Sequence, residues 1–503
     1  MSFLGLDVGT SSCKAVVFDR QGRQMASARH DYVVQVPKPG WAELDSAAVG
    51  DACLMVIQQA ARQCAGDPVQ GLAVSSQGEA FTVLDEHGQV LTNAMVSSDN
   101  RAAGLVKSWP QQFGRKRLYE KTGHTSHPIF SLFKLLWLRQ ERPDLWRRAA
   151  RIFCFEDYIH YRLGLTPAIS FSLAARTMLF NVRQGRWDSE ILAEAGIREE
   201  QLAVPLAPGE TAGILSAKMA RRLGVAAGAR VVAGGHDQVC AALGCGAIAP
   251  GVAALGSGSV ECITAAFSEP VMTPALRAAN LCTYPHAVPK LYATLAYNLT
   301  GGNLLRWYCD EWATPKARAA TRTGADISNL VLAGMSDEPT SLMVLPYFTG
   351  SGTPHFDDRT PGAILGLRLG TKRGEVLRAL LEGLGFELGV NLQILERSGI
   401  AIKTLLVTGG GAKNEKWLQL KADILNRPIE VPHVTEAGCM GCAMLVCAAI
   451  QGNDVRSLVS EWIQTRTTLS PDPKRAAFYA ARYEPYVKTY ESLRHLAPAL
   501  CIS

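Results

Sequence analysis

Two turns rich in glycine and hydroxyl residues follow apolar strands and could hold phosphate groups. The first is Asp7-Val8-Gly9-Thr10-Ser11-Ser12-Cys13-Lys14, and the second is Gly256-Ser257-Gly258-Ser259. Phosphate binding needs backbone N–H groups turned towards the anion, hydroxyl donors and no bulky side chain in the approach. Thr10, Ser11, Ser12 and Lys14 are the candidate contacts of the first turn. Each turn taken alone also fits an ordinary hairpin, which favours Gly and Ser.

Asp7 ends the first predicted strand, directly before this turn. A carboxylate there could hold Mg²⁺ directly or through water, because Mg²⁺ uses few protein carboxylates and keeps several of its waters. No GxxxxGK[ST] segment is present in the sequence, which disfavours a P-loop enzyme.

Asp237 lies in the segment Gly234-Gly235-His236-Asp237-Gln238, after an apolar strand over 229–233. A carboxylate at the end of a strand is suited to accept the proton of a substrate hydroxyl. The alternative is that Asp237 is the N-cap of a helix that starts at Gln238. The two glycines indicate close approach of another group, and His236 is expected to position or pack rather than to bind a ligand.

Three glycines, Gly409-Gly410-Gly411, follow an apolar strand over 405–408 and precede Ala412-Lys413-Asn414. Glycine lets the backbone approach a flat ligand closely, and a helix N-terminus favours anions. This segment is therefore a candidate site for an adenine or a ribose.

A candidate site for a hydroxyl-rich ligand follows another buried strand, in Ser75-Ser76-Gln77-Gly78-Glu79. Carboxylates and amides make paired contacts to neighbouring hydroxyls, and an aromatic ring covers a carbon face. Asp99, Arg101 and Trp41 are further candidates. Taken singly, each of these residues also fits a polar surface.

The elements that must position these residues alternate between strands and helices. Strands are predicted over 3–9, 13–19, 24–32 and 70–75, a hairpin over 81–84 and 89–91, and helices over 46–64 (with Asp45 as N-cap), 373–396, 416–426 and 471–496. The strand–turn–strand opening recurs at 251–264. A duplicated α/β domain with a cleft between the copies is the expectation, with the boundary near 247–250.

The amino-acid composition excludes several functional classes. The 503 residues are 48% hydrophobic and 19% charged, as in a globular enzyme of two large domains. The net charge of +6 comes without a Lys/Arg run, so nucleic acid is not an expected partner. Neither a signal peptide nor an apolar run of roughly 18 residues is found, so no membrane association is expected. The 13 scattered cysteines indicate free thiols in a reducing cytosol, and hence a cytoplasmic protein.

The combined motifs resemble those of the FGGY carbohydrate kinases. In addition to the turns described above, the matching segments are Gly40-Trp41-Ala42-Glu43, Lys134-Leu135-Leu136-Trp137-Leu138, Gly362-Ala363-Ile364-Leu365-Gly366-Leu367, Ala422-Asp423 and Glu436-Ala437-Gly438-Cys439. The resemblance covers nearly the whole chain.

This resemblance implies an α/β fold of two actin-like, ribonuclease H-like domains with the active site in the interdomain cleft. The domains would span 1–247 and 248–503, with a helical tail from about 456. It also implies ATP and Mg²⁺ as cofactors, and Asp237 as the general base. The residues implied to bind ATP are Gly256, Ser257, Thr300, Gly301, Gly302, Gly410, Gly411 and Asn414, and those implied to hold the sugar are Gln77, Gly78 and Glu79.

The expected activity is phosphorylation of a small sugar, with a ketopentose such as xylulose as the first choice. Gly78 departs from the Met of xylulose kinases and the Arg of glycerol kinases, and Glu79 matches glycerol kinases, so glycerol, erythritol and gluconate stay open. Arg101 leaves an acidic sugar open. A non-catalytic sugar sensor and an actin-like ATPase are the rivals from other classes. A homodimer is expected on analogy alone.

Overall fold

The computed structural model describes residues 1–320, 326–357, 359–496 and 499. The strands are, in chain order, Ser2–Val8 (β1), Ser12–Asp19 (β2), Gln24–Asp31 (β3), Glu43–Leu44 (β4), Val69–Ser76 (β5), Phe81–Leu84 (β6), Val90–Thr92 (β7), Ala94–Met95 (β8), Arg151–Cys154 (β9), Ala168–Ser170 (β10), Phe180–Asn181 (β11), Arg186–Trp187 (β12), Val204–Leu206 (β13), Thr211–Ile214 (β14), Arg230–His236 (β15), Val252–Ser257 (β16), Glu261–Phe267 (β17), Tyr284–Pro285 (β18), Tyr292–Asn298 (β19), Met343–Leu345 (β20), Ala363–Leu365 (β21), Thr404–Thr408 (β22), Ile429–Pro432 (β23) and Thr465–Leu469 (β24).

The helices are, in the same order, Ser46–Gln63 (α1), Ala103–Phe113 (α2), Arg115–Thr122 (α3), Ser131–Glu141 (α4), Pro143–Arg148 (α5), Phe155–Arg162 (α6), Phe171–Arg176 (α7), Ser189–Ala195 (α8), Ala217–Leu223 (α9), Asp237–Cys245 (α10), Pro274–Ala278 (α11), Gly302–Trp312 (α12), Pro315–Ala320 (α13), Ile327–Ala333 (α14), Arg373–Arg397 (α15), Glu415–Leu425 (α16), Ala437–Gln451 (α17), Val455–Trp462 (α18) and Pro473–Arg494 (α19). The predicted elements are confirmed to within a few residues, and Asp45 caps α1 by accepting from Ala48 N.

The first lobe is built on a six-stranded sheet of order β14-β15-β5-β1-β2-β3. β1, β5 and β15 run parallel to one another, with Val8 opposite Ser76 and His236 opposite Ser76. Their carboxyl ends therefore meet at one edge of the sheet. The first glycine turn, the segment after β5 and Asp237 all leave the sheet at this edge.

The second lobe is built on a seven-stranded sheet of order β18-β19-β17-β16-β22-β23-β24. β16 pairs antiparallel with β17 and parallel with β22, which places Gly256 opposite Thr408. Asn298 of β19 lies opposite Glu261 of β17. The second glycine turn, the segment after β19 and the three-glycine segment consequently converge at one edge, as the turns of the first lobe do.

The chain does not divide between the lobes at a single point. Helix α17 packs across β1, β5 and β15 and along α10, and its residues from Cys439 to Ala448 belong to the apolar core of the first lobe. The contact is very close, because a Cβ added to Gly441 would lie 2.1 Å from the carbonyl oxygen of Cys240. The predicted second domain, 248–503, thus supplies core to the first lobe.

The predicted helical tail from about 456 is wrong in one respect. β24 interrupts it and pairs antiparallel with β23. The run Thr465-Arg466-Thr467-Thr468-Leu469 is rich in β-branched residues, which fit a pleated sheet edge better than a helix.

Every cysteine among the described residues is a buried free thiol, as the sequence predicts. Within the same part of the chain, none of the helices combines the length and the apolar character needed to cross a bilayer.

Candidate active site

The first glycine turn is closed and supported from behind. Gly9 N donates to Ser12 O over 2.9 Å, and the Tyr32 hydroxyl donates to Gly9 O over 2.7 Å. Gln77 Nε2 also donates to Gly9 O at 3.1 Å, while its Oε1 accepts from the Thr10 hydroxyl at 3.2 Å. The structure therefore places Gln77 against the first glycine turn. Thr10 and Ser11 are exposed at the tip of the turn, and Ser12 is half-buried.

Asp7 lies beneath this turn in a restricted space. Its Oδ1 accepts from the Ser75 hydroxyl over 2.7 Å, and a Cβ added to Gly438 would come within 3.2 Å of the same oxygen. Burial raises the pKa of Asp7, with the Lys14 ammonium opposing the shift. Lys14 itself forms an ion pair with Glu436, with Nζ and Oε2 2.5 Å apart.

A half-buried carboxylate that faces Gly438, a residue without a side chain, beside a glycine and hydroxyl turn, fits a divalent cation that keeps some of its waters. Among the described residues no group of three or more His, Cys, Asp or Glu side chains could form a metal cage. Asp7 would therefore share such an ion with phosphate oxygens and water.

Asp237 is the first residue of α10, and His236 holds the N-cap position without a side-chain cap bond. The alternative that Asp237 caps this helix is therefore wrong. Its carboxylate is one-third exposed, at 33%, and its Oδ1 contacts the His236 imidazole but has no further hydrogen-bond partner among the described residues. Burial, followed by the charges of Asp7 and Glu79, raises the pKa of Asp237 to about 7. The group is thus positioned to take a proton near neutral pH.

His236 Nε2 lies 3.1 Å from Asp237 Oδ1, and His236 Nδ1 lies 3.0 Å from the Tyr284 hydroxyl. Burial and the nearby Arg176 lower the pKa of His236 to about 3, so the imidazole is neutral at physiological pH. His236 accordingly contacts Asp237 without adding a positive charge, and its positioning role stays a prediction.

Glu79 is buried close to Asp237, and its charge is paired. Arg176 Nε donates to Oε1 over 2.7 Å, and the Ser97 hydroxyl donates to Oε2 over 2.7 Å. Burial alone would raise the pKa of Glu79, but Arg176 and the other neighbouring donors outweigh it and lower the pKa to about 2. Glu79 therefore stays ionised at physiological pH and acts as a hydrogen-bond acceptor.

A side chain at Gly78 would be tightly packed. A Cβ added there would lie 3.1 Å from His236 Nε2 and 3.4 Å from Arg176 Nε. Arg176 thus occupies the space that a larger residue at this position would take.

Asp99, Arg101 and Trp41 form one cluster. Arg101 Nη2 lies 2.6 Å from Asp99 Oδ2 and 2.7 Å from Glu43 Oε1, and its guanidinium carbon lies 3.6 Å from the centre of the Trp41 ring. Asp99 is fully buried and also accepts from Ala42 N over 2.7 Å. The cluster reaches the Glu79 pocket through the segment that carries Ser97. Its charges are satisfied internally, and its contact with substrate stays a prediction.

The glycine segments of the second lobe line a cavity of roughly 390 Å³. The predicted nucleotide residues on its wall are Ser257, Gly302, Gly410, Gly411 and Asn414. The cavity also has an apolar side, formed by Leu305, Leu332 and Trp417, which suits the face of a base. Gly256 links the two halves of the site, because a Cβ added to it would lie 3.9 Å from Gln238 Oε1, next to Asp237.

Three predicted nucleotide contacts use their side chains within the protein. The Ser257 hydroxyl donates to Glu261 Oε1 over 2.9 Å, and the Thr300 hydroxyl donates to Pro346 O over 2.7 Å. Asn414 Oδ1 accepts from Trp417 N over 3.0 Å. Since a hydroxyl has one proton to donate, phosphate donors at Ser257 and Thr300 would have to come from the backbone, whereas Asn414 keeps its side-chain N–H₂ group as a donor. Gly258 and Ser259 are the exposed part of the second turn. Their backbone is held in place, because Gly258 N donates to Val260 O over 3.0 Å and both carbonyls accept from the start of α12.

The sequence interpretation missed Arg176, Ser97, Trp417, Glu261 and Lys421. Arg176 could have been found from the sequence, because a single charged residue within the apolar run Leu173–Phe180 indicates a buried charge with a partner. Lys421 could also have been found, since it lies four residues from both Trp417 and Leu425 and therefore on the buried face of α16. Ser97 and Glu261 give none.

Comparison with known proteins establishes the class of this chain. The models of the FGGY family of carbohydrate kinases match it twice, the N-terminal domain over residues 2–244 and the C-terminal domain over residues 253–450. The two-lobed fold and its cleft are those of a phosphotransferase that uses ATP, with the expected actin-like domains. More particularly, the chain belongs to the FGGY family of carbohydrate kinases.

Relatives are similar over the full length. The chain is 28% identical to the xylulose kinase of Escherichia coli, covering 98% of this chain and 99% of that protein. Solved structures of a ligand-bound xylulose kinase and of a gluconate kinase, both from Lactobacillus acidophilus, superpose with TM-scores of 0.91 and 0.90 at 25% identity. Each covers 99% of this chain, and the chain covers 100% and 99% of them.

Replacing Arg176 by Met should destabilise the protein by about 3 kcal/mol or more, because Glu79 would be left as a buried charge without its partner. In the wild type, the lowered pKa of Glu79 gives stabilisation that is complete above the ordinary value of 4.5 and lost as pH falls towards about 2. The variant can instead protonate Glu79, so its deficit should be smaller at pH 5 than at pH 8. Urea unfolding at both pH values measures this.

Arg117→Met is the control, since the Arg117–Glu190 pair is about half exposed and should contribute less than about 1 kcal/mol. Equal deficits in the two variants would contradict a buried ion pair at Glu79.

Proposed function

We propose that this protein transfers the terminal phosphoryl group of Mg-ATP to a hydroxyl of a neutral ketopentose such as xylulose, with Asp237 as the general base. The observation that carries the proposal is the position of Asp237. No Lys or Arg among the described residues is paired with its carboxylate, which lies near Glu79, and the helix it begins reaches the second glycine turn.

The chemistry follows from this arrangement. The substrate hydroxyl gives its proton to the Asp237 carboxylate, and the oxygen attacks the terminal phosphorus while the bond to the ADP oxygen breaks in line. The backbone N–H groups of the two turns, with the exposed hydroxyls of Thr10 and Ser11, stabilise the charge on the moving phosphoryl group. Mg²⁺, when held at Asp7, would neutralise phosphate charge and favour the ionised form of Asp237.

The charge balance of the sugar pocket favours a neutral substrate. A sugar acid needs a cation to bind its carboxylate, and the two arginines nearest the predicted sugar residues are already paired. Arg176 is paired with Glu79, and Arg101 with both Asp99 and Glu43. Lys134 is fully buried, donates to Val96 O over 2.7 Å, and has a pKa lowered to about 8, chiefly by burial. Because its charge is already paired, Arg101 is poorly suited to bind the carboxylate of gluconate.

The similar gluconate kinase fold keeps a sugar acid as the alternative substrate, and glycerol and erythritol as smaller ones. Against a pure sugar sensor and a sugar-independent ATPase stand the presence of the base, of both phosphate turns and of the Glu79 pocket. The homodimer and the cytoplasmic location stay predictions.

A panel of substrates tests the proposal directly. Coupled ADP release with xylulose, ribulose, glycerol, erythritol and gluconate should give the highest kcat/KM with a ketopentose. Gluconate should be at least about tenfold poorer, since its carboxylate would enter the pocket without an unpaired cation. A preference for gluconate would overturn the substrate assignment, and fast ADP release without any sugar would overturn the kinase mechanism.

Asp237→Asn should lower kcat by about 10²–10⁴-fold or more and leave ADP affinity within about twofold, because the amide keeps the shape and cannot take the proton. Steady-state kinetics and calorimetry with ADP measure the two quantities. Asp45→Asn is the matched control, since Asn caps α1 as well as Asp does. Near-normal turnover of the Asp237 variant would exclude this residue as the base.

The raised pKa of Asp237 predicts the pH dependence of the reaction. The base acts only when ionised, so kcat/KM should fall about tenfold per pH unit on the acid side of an apparent pKa at or below about 7. Bound Mg²⁺ would lower this apparent pKa. Initial rates from pH 5 to 9 test the point, and a flat profile down to pH 5 would contradict a raised pKa at the base.

A further inference from the structure

A buried ion pair lies underneath the nucleotide cavity. Lys421 of α16 contacts Glu261, the first residue of β17, and both side chains are fully buried. Taking two charges out of water costs several kcal/mol each, and a buried pair often stabilises a fold no better than apolar side chains of the same volume. Its place in the molecule therefore calls for a reason other than stability.

The pair fixes the second glycine turn through Ser257. The Ser257 hydroxyl donates to Glu261 Oε1 over 2.9 Å and accepts from Lys421 Nζ over 2.9 Å. Since both its donor and its acceptor functions are directed at the pair, the hydroxyl has one orientation. The backbone of the exposed residues that follow, Gly258 and Ser259, is set by this anchor.

The other two glycine segments rest on the same group of atoms. A Cβ added to Gly301 would lie 2.8 Å from Glu261 Cγ, and one added to Gly411 would lie 2.1 Å from Ser257 Oγ. All three backbone segments that line the cavity thus contact Glu261 or the serine that it holds.

Lys421 also reaches the wall of the cavity. Its ammonium lies 4.0 Å from the centre of the Trp417 ring, and Trp417 lines the cavity. The ring is buried, and its indole N–H has no partner among the described residues. One cation therefore contacts both the phosphate end of the cavity and its aromatic side.

We propose that the Lys421–Glu261 pair is a positioning element for the nucleotide, which holds the three glycine segments and Trp417 in the arrangement that binds ATP. The pair touches neither the phosphate nor the sugar, and acts through Ser257 and Trp417. Its removal is expected to weaken nucleotide binding selectively. The inference rests on the proposed nucleotide site and is independent of which sugar is phosphorylated.

Lys421→Met tests the proposal in the full-length protein. The KM for ATP should rise at least about tenfold, the equivalent of losing one to two charge-assisted hydrogen bonds. The KM for the sugar should stay within about twofold. ADP affinity measured by calorimetry without sugar should fall in parallel, so the result does not depend on the sugar assignment. Lys421→Arg, which keeps the charge, should recover most of the affinity.

Arg378→Met is the matched control. Arg378 and Glu382 form another buried pair of the second lobe, with Nε and Oε1 2.9 Å apart, and the bonding partners of Arg378 lie outside the nucleotide cavity. This variant should lose stability and keep its ADP affinity. If it weakens ADP binding as much as Lys421→Met does, the effect is general destabilisation and the proposal fails.

Unchanged ADP affinity in Lys421→Met would also overturn the proposal. If that variant does not fold, Glu261→Gln replaces it, because Gln keeps the shape and an acceptor for Ser257 while removing the charge. A rise in the ADP dissociation constant of about threefold or more is then expected, and no rise would overturn the proposal.

Discussion

The proposed mechanism depends on one carboxylate that stays ionisable, with no cation paired to it, in a largely enclosed position. Burial disfavours the charged form of any acid, and paired charges lose their ability to take a proton. Asp237 meets both demands only because the surrounding structure holds it at the end of a strand, next to a neutral imidazole. A cation in place of that imidazole would lower the pKa of Asp237 and remove its basicity at neutral pH.

The remaining charges of the cleft are arranged around this constraint. Glu79 is matched by Arg176, Asp99 by Arg101, Lys14 by Glu436, and Glu261 by Lys421. None of these cations is paired with Asp237, whose pKa is raised by burial first and then by the charges of Asp7 and Glu79. The same pairing leaves little unpaired charge around Glu79 and Arg101, and the proposal of a neutral sugar rests on this balance.

Much of this arrangement could be predicted from the sequence, because its signals are local. Apolar runs that end in glycine and hydroxyl residues located the strands and turns, and parallel strands bring such turns to one edge. The role of Asp237 was not decidable in this way, since an N-cap and a base share the same local pattern. Only the structure shows that His236 holds the cap position.

The ion pairs could not be predicted, because pairing is a long-range property. Arg176 and Glu79 are 97 residues apart in the chain, and Lys421 and Glu261 are 160 residues apart. Neither the spacing nor the type of these residues indicates a partner. Thr300 and Ser257 show a related limit of sequence-based prediction. The sequence shows that each has a hydroxyl, but not which acceptor the hydroxyl donates to.

The position of α17 has a consequence for how the polypeptide acquires its structure during synthesis. The first sheet is complete once residue 236 has been made, but one of its faces is covered by a helix that ends at Gln451. Until that helix emerges, the apolar residues of β1, β5 and β15 lack part of their cover. The early half of the nascent chain is therefore an aggregation-prone intermediate, and a fragment that stops near residue 247 would carry the same exposed surface permanently.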